Sequence, residues 1–181
     1  MAAIIGLSDE DVVKACSQVK MGVVEAVNFN APGQVVIAGQ KSSVDEAMEN
    51  AKALGAKRAL PLPVSVPSHC SLMQSAADEL FEALESTQII MPELPVIHNQ
   101  NAGIAESEHE IRQLLRKQLF QPVKWVETVQ SMHAQGVECL VECGPGKVLT
   151  GLARRIEKGL RAEAIFDIAS LEKSIQSISE Y

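Results

Sequence analysis

Short apolar runs alternate with amphipathic stretches over the first 66 residues of the chain. The runs have the length and the flanking turn residues of β-strands, and they lie at residues 2–6, 23–29, 34–39 and 58–64. Apolar positions with helical spacing fill two of the gaps, from Ser8 to about Lys20 and from Ser42 or Ser43 to Leu54. The predicted order is β-α-β-β-α-β, which is typical of a ferredoxin-like subdomain.

Local sequence signals mark the ends of these elements. Ser8 is the predicted N-cap of the first helix because acidic residues follow it, where the helix dipole favours negative charge. The Asn-Ala-Pro-Gly sequence of residues 30–33 predicts a turn between the second and third strands. Pro61 and Pro63 lack the N–H that a central strand donates, so they place the fourth strand at a sheet edge or at its exit from the sheet.

The pattern changes after residue 66, where helical segments outnumber strands. Amphipathic helices are predicted at residues 72–84, 107–120, 122–135 and 148–158 and from Ser170 onward. Short strands are predicted near residues 97, 140 and 164, in an alternation with helices that is typical of a parallel α/β sheet. Three strands make a thin sheet, so residues 67–181 are interpreted as part of a larger α/β domain, beside a subdomain of residues 1–66.

Composition narrows the classes of function. Asp and Glu number 23 against 16 Lys and Arg, the formal net charge is −7, and aromatic residues make up only 3% of the chain. These values argue against nucleic-acid binding, which needs positive charge and stacking side chains. No run approaches the roughly 18 apolar residues that span a membrane. The four cysteines are scattered, which predicts a cytoplasmic protein with free thiols.

Few residues suggest chemistry by their position alone. His69 follows a proline-rich strand exit and precedes a predicted helix, a place that suits either a general base or a histidine that only caps the helix. The Gly-Pro-Gly-Lys sequence of residues 144–147 lacks the first Gly and the final Ser or Thr of a phosphate-binding loop, so it is interpreted as a strand-to-helix turn. No Gly-x-Ser-x-Gly sequence of a serine nucleophile is present.

Four longer motifs carry a family resemblance. They read NFNAPGQVVIAG at residues 28–39, PLPVSVPSHCSLM at 61–73, QLFQPVKW at 118–125 and ECGPGKVLTG at 142–151. In this order and over nearly the whole chain, they resemble segments of bacterial malonyl-CoA:acyl-carrier-protein transacylases.

This resemblance implies an acyltransferase of type II fatty-acid synthesis. Such enzymes move malonyl from coenzyme A to acyl carrier protein by a ping-pong reaction through a malonyl-serine ester. The implied fold is an α/β-hydrolase-like domain with a ferredoxin-like insert, which agrees with both halves of the pattern. The implied partners are malonyl-CoA and acyl carrier protein, and no metal or redox cofactor is implied.

The resemblance also assigns roles to single residues. His69 matches the catalytic histidine that takes the serine proton, and Gln118 matches the residue whose main-chain carbonyl holds the imidazole. Asn28 and Asn30 match polar residues that line the substrate cleft. Lys57 and Arg58 match a basic patch that would dock the acidic carrier protein.

The chain departs from the family in what it lacks. The family's serine nucleophile, its oxyanion-hole donors and the arginine that binds the malonyl carboxylate all belong to a part that corresponds to positions upstream of Met1. The chain therefore corresponds to the C-terminal portion of the enzyme, and alone we expect it to be inactive and to need the N-terminal part as a partner. The alternative is a non-catalytic fragment that only docks acyl carrier protein.

Overall fold

The computed structural model describes residues 1–179. The chain forms two compact units, Met1–Thr128 and a second that begins at Val129. The domain boundary expected after residue 66 stays a prediction.

The first unit is built on a four-stranded antiparallel sheet with the strand order β2-β3-β1-β4. Its strands and helices are β1 (Ala2–Ile5), α1 (Asp9–Ser17), β2 (Val24–Ala31), β3 (Gln34–Gly39), α2 (Lys41–Ala53) and β4 (Arg58–Pro61). The predicted order of elements is confirmed. Strand β4 lies at the edge of the sheet, as the prolines at its end predict.

Side chains alternate between the two faces of this sheet, and both faces are covered. Ile4, Val35 and Ile37 pack with residues of helices α1 and α2 in one buried core. Val36, from the same stretch of β3, belongs to a smaller core on the opposite face, together with Cys70. Because successive strand residues point to opposite faces, the segment that follows β4 covers the face that the helices leave open.

Three local predictions are wrong in this unit. The N-cap of α2 is Gln40, and Ser43 lies inside the helix, where its hydroxyl donates to the carbonyl of Met21. Ser43 is buried and has this distant partner, so its hydroxyl does not serve as a cap. Asn30 belongs to strand β2 instead of the turn, which is left to Pro32 and Gly33. Strand β4 is also shorter than predicted and ends at Pro61.

Helices form most of the rest of the first unit. The elements are α3 (Gln74–Ser86), β5 (Ile97–His98), β6 (Gly103–Ile104), α4 (Glu108–Phe120) and α5 (Trp125–Ala134), the last of which ends in the second unit. Arg116 of α4 binds Asp78 of α3 and lies over the rings of Phe81 and Phe120. Arg112 donates to the carbonyls of Leu84 and Thr87 at the end of α3. These contacts fix α4 against α3.

The strand near residue 97 does not join a parallel sheet, and that prediction is wrong. Strand β5 instead forms a two-stranded antiparallel hairpin with β6. Asn101 accepts the N–H of Gly103 through its side chain, and Ala102 has a φ of 54°. This local turn reverses the chain within four residues, so the nearest partner for β5 is the strand directly after it.

The second unit is a β-α-β arrangement followed by a helix. It consists of β7 (Cys139–Cys143), α6 (Val148–Ile156), β8 (Arg161–Ile165) and α7 (Ile168–Ser179), and β7 and β8 are parallel. The sequence predicts that the last helix starts at Ser170, but α7 starts at Ile168 and Ser170 lies inside its first turn. Asp167 accepts the N–H of Ser170 through its carboxylate, and the Ser170 hydroxyl accepts the N–H of Asp167 in return. Because these two hydrogen bonds cap the helix at Asp167, α7 begins before Ser170.

Candidate active site

His69 lies between strand β4 and helix α3, and both its backbone and its ring bind the end of helix α4. Its N–H donates to the carbonyl of Leu119 over 2.9 Å. Its ring Nδ1 lies 2.6 Å from the carbonyl oxygen of Gln118. The backbone φ of His69 is 66°, a left-handed conformation that is uncommon for a residue other than glycine. The structure therefore brings His69 and Gln118 together, as the family resemblance implies.

Helix α4 offers these carbonyls because it ends there. The last four carbonyls of an α-helix have no N–H partner inside the helix. Gln118 and Leu119 belong to this last turn, and Pro122 follows, which has no N–H to extend the ladder. His69 supplies the two missing donors. Sequence reasoning missed the role of Leu119, although its place in the last turn before a proline was a usable signal.

The contact with Gln118 determines the tautomer of the His69 ring. A carbonyl oxygen can only accept a hydrogen bond, so Nδ1 must carry the proton of this 2.6 Å contact. The neutral ring then has its free electron pair on Nε2. The arrangement can take a proton at Nε2, while the Gln118 carbonyl keeps the ring oriented.

An open cavity of about 530 Å³ adjoins the histidine. Its lining residues come from the start of the chain, from β2 and from the segment after β4: Met1, Asn28, Pro63, Val64, Ser65, Val66, Ser68 and His69. Asn28 pairs with Val36, which places it on the sheet face away from the helices. Asn28 and His69 thus share one cavity.

Asn30 is not brought to the same place. The pairing of β2 with β3 is irregular between Phe29 and Ala31, so Asn30 has no register partner on β3. Among the described residues that line the cavity of His69, Asn30 does not occur. The strand irregularity separates two asparagines that lie only two residues apart.

Lys57 and Arg58 lie at the opposite end of strand β4 from the His69 segment. Both are exposed. Arg58 pairs with Ile5, and the aliphatic part of Lys57 packs over Gly6. Pro61, where the chain leaves for His69, is three residues further, or about 10 Å along a strand. The two cations form a surface that is separate from the cavity.

The other reactive groups near His69 are structural. Cys70 is fully buried, and burial raises the pKa of its thiol, which opposes thiolate formation. All four cysteines of the chain are unpaired. Within residues 1–179, no group of three or more His, Cys, Asp or Glu side chains is arranged to hold a metal ion. No helix of this part of the chain combines the length and apolarity needed to cross a bilayer.

Comparisons with known proteins show the family to which this chain belongs. The family model described as acyl transferase domain matches residues 2–176. The malonyl CoA-acyl carrier protein transacylase of Escherichia coli strain K12 is 50% identical over 177 residues, which are 97% of this chain and 57% of the relative. The chain therefore spans little more than half the length of the curated relatives it matches.

Solved structures give the same result. A malonyl-transacylase in complex with its type II PKS acyl-carrier protein matches with a TM-score of 0.95 and 50% identity, over 97% of this chain and 57% of that one. An acyl carrier protein S-malonyltransferase from Vibrio cholerae matches with a TM-score of 0.93 and 53% identity, over 96% of this chain and 57% of that one. The fold is α/β, and the chain belongs to the acyl transferase domain family.

Proposed function

We propose that this chain carries the histidine-bearing part of an acyltransferase that moves malonyl from coenzyme A to acyl carrier protein in type II fatty-acid synthesis. The observation that carries the proposal is the 2.6 Å contact between His69 Nδ1 and the Gln118 carbonyl, which leaves Nε2 free to act as a base. The names of the similar proteins supply the substrate class.

The proposed reaction needs a serine hydroxyl from a part of the enzyme that this chain does not contain. His69 Nε2 takes the hydroxyl proton while the serine oxygen attacks the thioester carbonyl of malonyl-CoA. The carbon–sulfur bond breaks, and His69 returns the proton to the thiolate of coenzyme A. The thiol of the carrier protein then loses its proton to His69 and attacks the malonyl-serine ester, the bond between the ester carbon and the serine oxygen breaks, and His69 returns the proton to that oxygen. Gln118 holds the ring through both halves.

The architecture proposed for the whole enzyme follows the sequence pattern. Residues 1–66 would form a ferredoxin-like subdomain, and residues 67–181 would form the C-terminal part of an α/β-hydrolase-like domain. The strand order β2-β3-β1-β4 with two helices on one face supports the first assignment. The parallel pair β7-β8 supports the second, since two parallel strands are normally part of a larger sheet. The chain would act in the cytoplasm without a metal or redox cofactor.

The remaining site residues have separate proposed roles. Asn28 would contact substrate in the cavity of His69, which it lines. Asn30 would line the same cleft further along β2, although its support is the family resemblance alone. Lys57 and Arg58 would dock the acidic carrier protein, a role that their exposure permits.

A chimera tests the function directly. The 181-residue chain would replace the matching segment of the E. coli relative, and malonyl transfer to acyl carrier protein would be measured. His69→Ala should lower kcat by about 10²- to 10⁴-fold, as for the loss of a general base. His109→Ala is the control, because His109 is an exposed histidine of helix α4.

Two outcomes would contradict the proposal. If His69→Ala transfers malonyl as fast as His109→Ala, His69 is not the base. A chimera that binds carrier protein in a salt-sensitive manner but transfers no malonyl would support the docking-only alternative.

A further inference from the structure

Strand β2 anchors one side of the contact between His69 and Gln118. The chain leaves helix α4 after Phe120, two residues past Gln118, and reaches the free edge of β2 at Val123. There the Val123 N–H donates to Val27 over 2.8 Å, and the Phe29 N–H donates to Val123 over 3.0 Å. This parallel bridge fixes the end of α4, and with it the Gln118 carbonyl, to the middle of β2.

The same strand also anchors the histidine side, through Glu25. Cys70, which follows His69, is buried against Val27 of β2. The next residue, Ser71, donates twice to the Glu25 carboxylate: its N–H to Oε2 over 3.0 Å and its hydroxyl to Oε1 over 2.6 Å. Glu25 lies two residues before Val27, so both side chains point to the sheet face that carries the His69 segment.

We propose that Glu25 is a positioning residue for His69, which rests on the catalytic role proposed above. The left-handed backbone of His69 is an unfavourable conformation that its surroundings must maintain. Glu25 maintains it by fixing Ser71, two residues further along the chain. Glu25 binds Ser71 and not the ring itself, so its effect on the ring passes through the backbone of residues 69–71.

The chemistry of the Glu25 contact suits this role. Hydrogen bonds to a carboxylate are shorter and stronger than those between neutral groups, and here both oxygens are used on one residue. Ser71 begins the short helical turn before α3, where N–H groups lack partners inside the helix. A carboxylate at this position therefore fixes both the start of the turn and the residues that precede it.

A direct test follows the Nδ1 proton of His69 by NMR in the ¹⁵N-labelled 181-residue chain. Glu25→Ala should accelerate the exchange of this proton with water by at least about 10-fold, because the ring loses its fixed orientation to the Gln118 carbonyl. Glu25→Gln should restore slow exchange, since its amide can accept from the Ser71 N–H and donate to the Ser71 hydroxyl.

The matched control is Glu46→Ala. Glu46 is also a half-buried glutamate that accepts a backbone N–H from a distant segment, that of Lys20. The loss of the Glu46 carboxylate should leave the exchange rate of the His69 Nδ1 proton unchanged. Equal exchange in Glu25→Ala and the wild type, or equal acceleration in Glu46→Ala, would overturn the positioning role. If Glu25→Ala does not fold, Ser71→Ala removes only the hydroxyl bond, and unchanged exchange in that variant would also overturn it.

Kinetics in the chimera separate positioning from general stability. Glu25→Ala should lower kcat by about 10- to 100-fold and leave the KM for malonyl-CoA unchanged, as for a misplaced catalytic group. If the wild-type chimera transfers no malonyl, the proposed function fails, while the NMR experiment still decides whether Glu25 orients His69. If transfer occurs and Glu25→Ala matches Glu46→Ala in kcat, only the positioning role fails.

Discussion

The two units of the chain differ in how completely they cover their sheets. In the first, helices pack on one face of the four-stranded sheet, and the segment with Cys70 covers the other. In the second, the described sheet has only two strands, and large apolar side chains near their ends remain exposed: Val148 by 70%, Phe166 by 50% and Ile168 by 76%. The first unit thus supplies the partners of the His69 backbone N–H and of its ring Nδ1, while the second presents apolar surface of the kind that normally packs against further structure.

The largest expected effect is on the free energy of unfolding, and it compares a buried residue of the first unit with an exposed residue of the second. Ile37→Ala removes a side chain that is 1% exposed on a central strand, and it should lower the free energy of unfolding by about 2–5 kcal/mol. Ile168→Ala, at 76% exposure, should change it by less than about 0.5 kcal/mol. Urea unfolding followed by circular dichroism measures both.

An unexpected result in this pair would be informative. If Ile168→Ala destabilises the chain as strongly as Ile37→Ala, the apolar surface of the second unit is covered in solution. The contrast between the units would then not hold.

Glu142 of the second unit can be compared with Glu25 of the first, because each carboxylate accepts hydrogen bonds from the start of a helical segment. Its carboxylate accepts the N–H of Leu149 and both the N–H and the hydroxyl of Thr150, at the start of α6. Burial by itself raises the pKa of Glu142, but the hydrogen bonds from Thr150 and Leu149 outweigh it and hold the pKa below the usual value. Because an amide accepts hydrogen bonds more weakly than a carboxylate, Glu142→Gln should weaken these contacts at the start of α6 and cost about 1 kcal/mol at neutral pH, like the loss of a helix cap.

The pH dependence of this effect has a definite sign. A lowered pKa in the folded state stabilises the fold above the unfolded value, about 4.3 for glutamate, and this contribution is lost as pH falls through the lowered folded value. The difference in unfolding midpoint between wild type and Glu142→Gln should therefore be largest near neutral pH and shrink as the pH falls below about 4. A difference that is the same at pH 7 and pH 3 would show that the charge of Glu142 is not what stabilises α6.

The sequence predicted local features of both units better than distant ones. The order of elements in the first unit follows from apolar periodicity, and the start of α4 beside Ser107 agrees with the helix predicted at residues 107–120. The hairpin of β5 with β6 was missed because each strand has only two residues, too few for a pattern. The contact of Glu25 with Ser71 spans 46 positions in the chain, so no local signal indicates it. His69 and Gln118 were paired only through the family resemblance.

The smallest expected effect is on the exchange rate of the His69 Nδ1 proton when the far end of helix α4 is altered. It tests whether the orientation of His69 depends only on the end of α4 that contacts it. Ser107 caps the far end and accepts the N–H of Glu110 over 3.1 Å. Ser107→Ala should lower the free energy of unfolding by about 1 kcal/mol. The His69 Nδ1 proton should exchange at the wild-type rate, because Gln118 lies about 16 Å away along the helix axis at about 1.5 Å per residue. The same NMR experiment measures the exchange rate. If Ser107→Ala accelerates exchange as much as Glu25→Ala, then the stability of α4 as a whole, and not its anchoring on β2, orients the histidine.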